Sequence, residues 1–363
     1  MAAAALTVVL STPGVAAADS PSAKDITYYI SLGDSLASGY QPDVDKDVPV
    51  AYTDQLYQQL KLRQPGLEHI RLGCTGETTE SLIKGGKCDY PNAKSQLDAA
   101  LKTMAKHRGK VDYVTIDIGA NDIRACVAPT GSIDKSCLND AAQGITNNLA
   151  RITGALRKAG AKGTQYAGAT YYNPFLAAWL LGDAGQKTAK DSASLIKAAN
   201  TAVSQVYAAA GFKAADVAGA FSSDDFDDSL NVPGYGEVPA NVAKICQLTW
   251  ACTKQDPHPN PAGHRVIAGA FAAVLPMRNT PQQPGGHGSP EPTTPVGSAD
   301  QTGEAKSGNG EGADANKPKA DGGLAETGSS SSTPVLAGTA LTAVAVGATA
   351  LFVVRKRRTS DNL

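Results

Sequence analysis

Residues 26–39 read ITYYISLGDSLASG, and this stretch constrains the fold more than any other. Its β-branched and aromatic first half predicts a buried strand, which breaks off at Gly33-Asp34-Ser35. In an open α/β sheet the carboxyl ends of the strands border the crevice where ligands bind. Such a strand delivers the Ser35 hydroxyl to a place where chemistry can use it. Gly, Asp and Ser are also the residues of an ordinary strand-ending turn, so the tripeptide alone decides nothing.

The rest of the chain repeats the alternation. Residues 51–62 are amphipathic, with Leu56 and Leu60 four apart, and Pro65-Gly66 closes the helix they predict. A short second strand, 68–72, carries Gly73 to the same edge as Ser35. A helix is expected over 91–106, with Leu97, Leu101 and Met104 on one face, and a third strand over 111–118 ends at Gly119-Ala120-Asn121-Asp122. A helix over 138–159 precedes a fourth strand, 163–170, and a helix over 184–210 separates that strand from a fifth, 212–217. A last helix, 261–275, has Asn260 as its cap and Pro261 at its first position. Strands alternating with helices predict a parallel sheet covered on both faces.

Charge excludes little but is informative once. With 33 basic and 34 acidic side chains in 363 residues, there is no global field to attract nucleic acid. A serine nucleophile needs a neighbouring base, usually histidine, and there are five to choose from. His287 lies in a Pro/Gly/Ser-rich segment, His69 within a strand and His107 at a helix end, while His264 falls on the first turn of the last helix. His258, in the loop before that helix, can reach the strand ends.

The six cysteines fall as near neighbours, Cys74 with Cys88, Cys126 with Cys137 and Cys246 with Cys252. Local pairing is the simplest disulfide reading of an exported chain. Cys246, Cys252, His258 and His264 also recur every six residues, but structural zinc sites space their cysteines by about two to four, so no metal is expected. The acidic run 224–228 likewise lacks the spacing of a calcium loop. No G-x-S-x-G occurs, which argues against the nucleophile elbow of ordinary α/β-hydrolases.

Taken together, Gly33-Asp34-Ser35, Arg71-Leu72-Gly73-Cys74, Ile118-Gly119-Ala120-Asn121-Asp122 and Asp256-Pro257-His258-Pro259-Asn260 resemble the ordered blocks of the SGNH (GDSL) hydrolase family across residues 25–278. The resemblance implies a flavodoxin-like three-layer α/β/α sandwich with a central parallel sheet, and an esterase or lipase that needs no cofactor. It implies Ser35 as nucleophile and His258 as base. The oxyanion donors it implies are the backbone N–H groups of Ser35 and Gly73 and the side-chain amide of Asn121. The family's usual acid lies three residues before the histidine, where this chain has Gln255. Either the carboxylate of Asp256 or the backbone carbonyl of Gln255 is then left to orient His258.

Within this reading the substrate is a small-molecule, lipid or carbohydrate ester, with polysaccharide deacetylation as a narrower version, and the chain is expected to be a monomer. A non-catalytic surface module on a dead scaffold is the competing class. It would be expected to have lost at least one of Ser35, Gly73, Asn121 and His258, and all four are present. Tyr171, Tyr172 and Asn173 fall after the fourth strand and are candidates for the substrate pocket, or else for a packed loop.

The ends of the chain read differently. Residues 1–18 resemble the apolar part of a secretory signal closing on Ala16-Ala17-Ala18. Residues 279–323 have too few large apolar side chains to offset ordering entropy and are expected to form a disordered spacer. Residues 324–363 combine Leu324-Ala325-Glu326-Thr327-Gly328, an apolar run over 334–354 long enough to cross a bilayer, and a basic tail. This tripartite pattern resembles the cell-wall sorting signal of Gram-positive surface proteins, with Ala325 where the commonest form has proline. It implies sortase as a partner, transfer of Thr327 to the cell wall with loss of Gly328 onward, and a secreted, wall-anchored protein.

Overall fold

Successive side chains of the first strand, β1 (Thr27–Gly33), point into two separate cores. Tyr29 packs with Leu56, Leu60, Ile267 and Phe271, whereas Ile30 and Leu32 pack with Leu97, Leu149, Ile152 and Leu156. A strand with two buried faces must lie in the middle of three layers. The remaining sheet strands are β2 (Leu67–Arg71), β3 (Val111–Asp117), β4 (Gln165–Ala169) and β5 (Lys213–Ala215). All pairings are parallel, in the order β2-β1-β3-β4-β5, which is the flavodoxin-like order. The computed structural model describes residues 26–124, 126 and 135–276. The expected signal segment, spacer, sorting motif and apolar span lie outside the described residues.

Helices α1 (Ser35–Ser38) and α2 (Tyr52–Lys61) follow β1, α3 (Gln96–Lys106) follows β2, α4 (Lys135–Ala159) follows β3, α5 (Asp183–Ala209) follows β4, and α6 (Pro261–Val274) closes the domain. Faces of α2 and α6 contribute to the first core, and faces of α3 and α4 to the second. The chain runs from β1 outward to β2 and then crosses back to β3. The strand order therefore reverses between β1 and β3, where such sheets open a crevice.

Two boundaries differ from expectation for local reasons. The helix expected from residue 91 starts at Gln96, because Asn92 adopts a left-handed conformation (φ 60°) and Ser95 supplies the cap, accepting from the Asp98 N–H. The fifth strand stops at Ala215 because Asp216 caps a short helix, Val217–Ala220. Several elements have no counterpart in the sequence reading: two small antiparallel hairpins (Tyr40–Gln41 with Lys46–Asp47, Ser229–Val232 with Gly236–Pro239), a 3-10 helix (Pro174–Leu181) and a helix at Ala240–Leu248. The cysteines pair locally, as Cys74–Cys88, Cys126–Cys137 and Cys246–Cys252.

Candidate active site

Gly33 makes the turn that presents the serine. Its φ of 144° is strained for other residues, and a Cβ there would lie 2.4 Å from Asp117 Oδ1. The turn is held by a residue the sequence did not flag: the Gly33 N–H donates to Gln96 Oε1 (2.7 Å), and Gln96 Nε2 donates back to the Gly33 carbonyl (3.0 Å). Asp34 then caps α1, accepting from the Leu36 N–H at 3.1 Å. Ser35 opens that helix, 6 % exposed.

The histidine arrives from the far end of the domain in a loop braced on several sides. Tyr172 donates its hydroxyl proton to the Pro257 carbonyl (2.6 Å), Gln41 Nε2 donates to the Pro259 carbonyl (2.9 Å), and the Trp250 N–H donates to the His258 carbonyl (3.0 Å). Asn260 caps α6 through Ala262 and Gly263 while its amide reaches the Gln247 carbonyl, and the Cys246–Cys252 bridge closes the preceding segment. So fixed, His258 Nε2 lies 2.8 Å from Ser35 Oγ. His258 Nδ1 lies 2.6 Å from Asp256 Oδ1, which also accepts from the His258 backbone N–H at 2.9 Å. The carboxylate, and not the Gln255 carbonyl, stands against the ring. Gln255 itself takes a left-handed φ of 56°, which turns the chain so that a residue only two positions before the histidine can reach it.

On the opposite side, Gly73 packs against the first turn after the serine, where a Cβ would lie 2.7 Å from the Ala37 Cβ. Only glycine lets the backbone come this near. Among the described residues, the Ser35 and Gly73 N–H groups have no hydrogen-bond acceptor. Asn121, in the short helix Ala120–Arg124, gives one amide hydrogen to the Glu77 carbonyl (2.9 Å) and keeps the other. Asp122 fixes that helix by accepting from the N–H and hydroxyl of Thr79.

The loop after β4 packs and braces, and its side chains are engaged within the fold. Asn173 is fully buried, with Oδ1 accepting from the Phe175 N–H and Nδ2 donating to Ser192 Oγ. Tyr172 stacks on Phe221 at 4.5 Å, and Tyr171 has both backbone polar groups bonded to Asn200 and its hydroxyl oxygen buried. A cleft of about 820 Å³ near the ends of β4 and β5 is bordered by Asn173 but by none of Ser35, Gly73, Asn121 and His258. The second histidine is excluded as a base: His264 is buried, accepts the Tyr52 N–H on Nδ1, and is pushed down to about 3 by burial and by the neighbouring His258. Both cysteines of the six-residue pattern are consumed in their disulfide.

A serine bonded to a histidine, itself bonded to a carboxylate, in the crevice of a five-stranded parallel sheet, is the arrangement of a serine hydrolase. Residues 31–266 match the GDSL-like lipase/acylhydrolase family, and the chain belongs to that family. No curated protein matches it. Solved structures similar to it include an acetylxylan esterase from Geobacillus stearothermophilus (14% identity, 71% of this chain and 97% of that one, TM-score 0.42). Others are an extracellular lipase from Streptomyces rimosus (17%, 68% and 99%, 0.41) and a carbohydrate acetylesterase from Sinorhizobium meliloti (15%, 68% and 99%, 0.34). None is near enough to transfer a substrate.

Proposed function

We propose that this protein hydrolyses carboxylic esters through an acyl-enzyme on Ser35. The observation that carries the reading is the unbroken chain from Asp256 Oδ1 through His258 to Ser35 Oγ. Ser35 Oγ attacks the ester carbonyl and passes its proton to His258 Nε2, and the tetrahedral oxyanion is received by the Ser35 and Gly73 N–H groups and the remaining Asn121 amide hydrogen. The imidazolium, stabilised by Asp256, gives the proton to the departing alkoxide, which leaves as the alcohol. Water then attacks the acyl-enzyme by the same route in reverse, its proton passing through His258 to Ser35 Oγ as the acid departs.

Export and attachment to a cell wall belong to the same proposal. Three disulfides in one domain suit an oxidising compartment, and the pentapeptide, apolar run and basic tail suit sorting. The decisive experiment is covalent: a fluorophosphonate probe is expected to label Ser35, and Ser35→Ala is expected to lose both labelling and ester hydrolysis with the fold intact. Labelling at another serine, or activity in the variant, overturns the reading.

A further inference from the structure

Directly beneath the nucleophile lie two fully buried carboxyl groups, Asp34 and Asp117. Asp117 ends β3 and Asp34 follows β1, so the adjacent parallel strands bring them together. Asp117 Oδ2 faces the Asp34 N–H at 3.4 Å, and its Oδ1 accepts the hydroxyl proton of Tyr52 at 2.6 Å. The two side chains are within hydrogen-bonding reach of one another. Asp34 Oδ1 is occupied by the Leu36 N–H, but Asp34 Oδ2 is buried with no donor among the described residues. Two ionised carboxylates cannot face each other in a site closed to water, and one proton between them removes the repulsion and supplies the missing donor.

We propose that Asp117 is held as a neutral carboxylic acid that donates to Asp34 Oδ2, and that this bond makes Asp117 a positioning residue for Ser35. The role rests on the serine-nucleophile reading given above. Asp117 is the better seat for the proton because burial and the Asp34 charge both push its carboxyl well above the usual carboxylate range. Asp34 is also pushed up by burial, but the Leu36 N–H and nearby His258 favour its ionised form.

The groups facing the pair come from every neighbouring element: Tyr29 on β1, Tyr52 on α2, Tyr171 and Tyr172 after β4, Tyr207 on α5, Asp122 after β3 and His258. Of these only His258 acts on the pair as a cation, and its attraction falls on Asp34, which leaves a second carboxylate at Asp117 without compensation. The neutral acid therefore ties the end of β3, and Tyr52 behind it, to the residue that caps the helix carrying Ser35.

The test needs no turnover. Infrared difference spectroscopy of the whole protein at neutral pH is expected to show the C=O stretch of a neutral buried carboxylic acid, absent in Asp117→Asn and still present in Ser35→Ala. That result stands or falls independently of whether Ser35 is a nucleophile. In kinetics, Asp117→Asn, whose amide donates to Asp34 and accepts from Tyr52, is expected to leave kcat nearly unchanged. Asp117→Leu, which can do neither, is expected to lower kcat about 100-fold with little change in KM, as misplacement of a reacting group does. Should Asp117→Leu fail to fold, Tyr52→Phe gives a milder fall in kcat. Absence of the acid band in wild type, or an Asp117→Asn as damaging as Asp117→Leu, overturns the proposal.

Discussion

Replacing Asp256 by asparagine separates two jobs that one carboxylate performs. Asp256 Oδ1 faces two donors at once, the His258 backbone N–H at 2.9 Å and Nδ1 at 2.6 Å. An asparagine must also turn its oxygen toward them, since its NH₂ would set donor against donor. The tautomer with a proton on Nδ1 therefore survives, and what disappears is the charge that stabilises the imidazolium. The two side chains are 14 % and 23 % exposed, which suits an intermediate dielectric. For charge centres about 4 Å apart this amounts to at most about 4 kcal/mol. At about 1.4 kcal/mol per factor of ten, kcat should fall by up to about 10³. Asp256→Ala, which also frees the ring, should approach the roughly 10⁴ loss of a triad without its acid. Steady-state hydrolysis of a short-chain p-nitrophenyl ester, with folding verified by circular dichroism, measures both. The reasoning fails if Asp256→Asn loses less than about tenfold, or if the two variants lose the same amount.

Three further outcomes are expected. Asn121→Ala removes one oxyanion donor and should lower kcat by about 10² to 10³ with KM little changed; an unaltered kcat would show that the two backbone N–H groups suffice. Replacing Cys74 and Cys88 together by serine opens a loop whose ends are 14 residues apart and should cost about 3 kcal/mol in chemical denaturation, whereas an unchanged midpoint would mean that the unfolded chain is not constrained there. Because the Asp117 carboxyl is raised in the folded state by burial and by Asp34, the native protein binds that proton more tightly than the unfolded chain does. Stability should then fall as pH rises from the ordinary carboxylate value toward the native one, by about 1.4 kcal/mol per pH unit. Asp117→Asn should flatten that slope in thermal melts across this window, and parallel wild-type and variant curves would contradict the assignment.

The sheet was readable because its central strands β1, β3 and β4 are buried on both faces and so appear as largely apolar runs bounded by turn residues, with β3 the clearest case. The placement of Ser35, Gly73 and Asn121 at one sheet edge was readable because each follows a strand, and that of His258 because the other histidines fell in elements that could not reach the edge. The short 3-10 helix Pro174–Leu181 escaped notice since it is apolar all round and shows no periodicity. The hairpin Ser229–Val232/Gly236–Pro239 escaped notice since its exposed residues make no alternation. Tyr171-Tyr172-Asn173 left two readings open because aromatic and amide side chains suit a binding loop and a packed brace equally, and their partners in the fold are those of a brace. Gln96 and Asp117 were missed for a deeper reason: their importance comes from what the fold sets against them. A buried-strand pattern that closes on an acid, the second of the two in VDYVTID, was the one available sign.

The bond between Ser35 and His258 joins residues 223 positions apart, and its brace through Gln41 ties the first hairpin to the last loop. A ribosome adding about 5 to 20 residues per second therefore exposes the serine roughly ten to forty-five seconds before the histidine exists. Throughout that interval the growing chain has an alcohol but nothing to activate it. On the proposed mechanism hydrolysis begins only when α6 has docked and the loop before it has been cross-braced, so a partly made chain would be chemically silent toward the esters around it. Catalytic competence then reports completion of the whole domain, and burst titration of Ser35 in a refolding mixture would count finished molecules and no others.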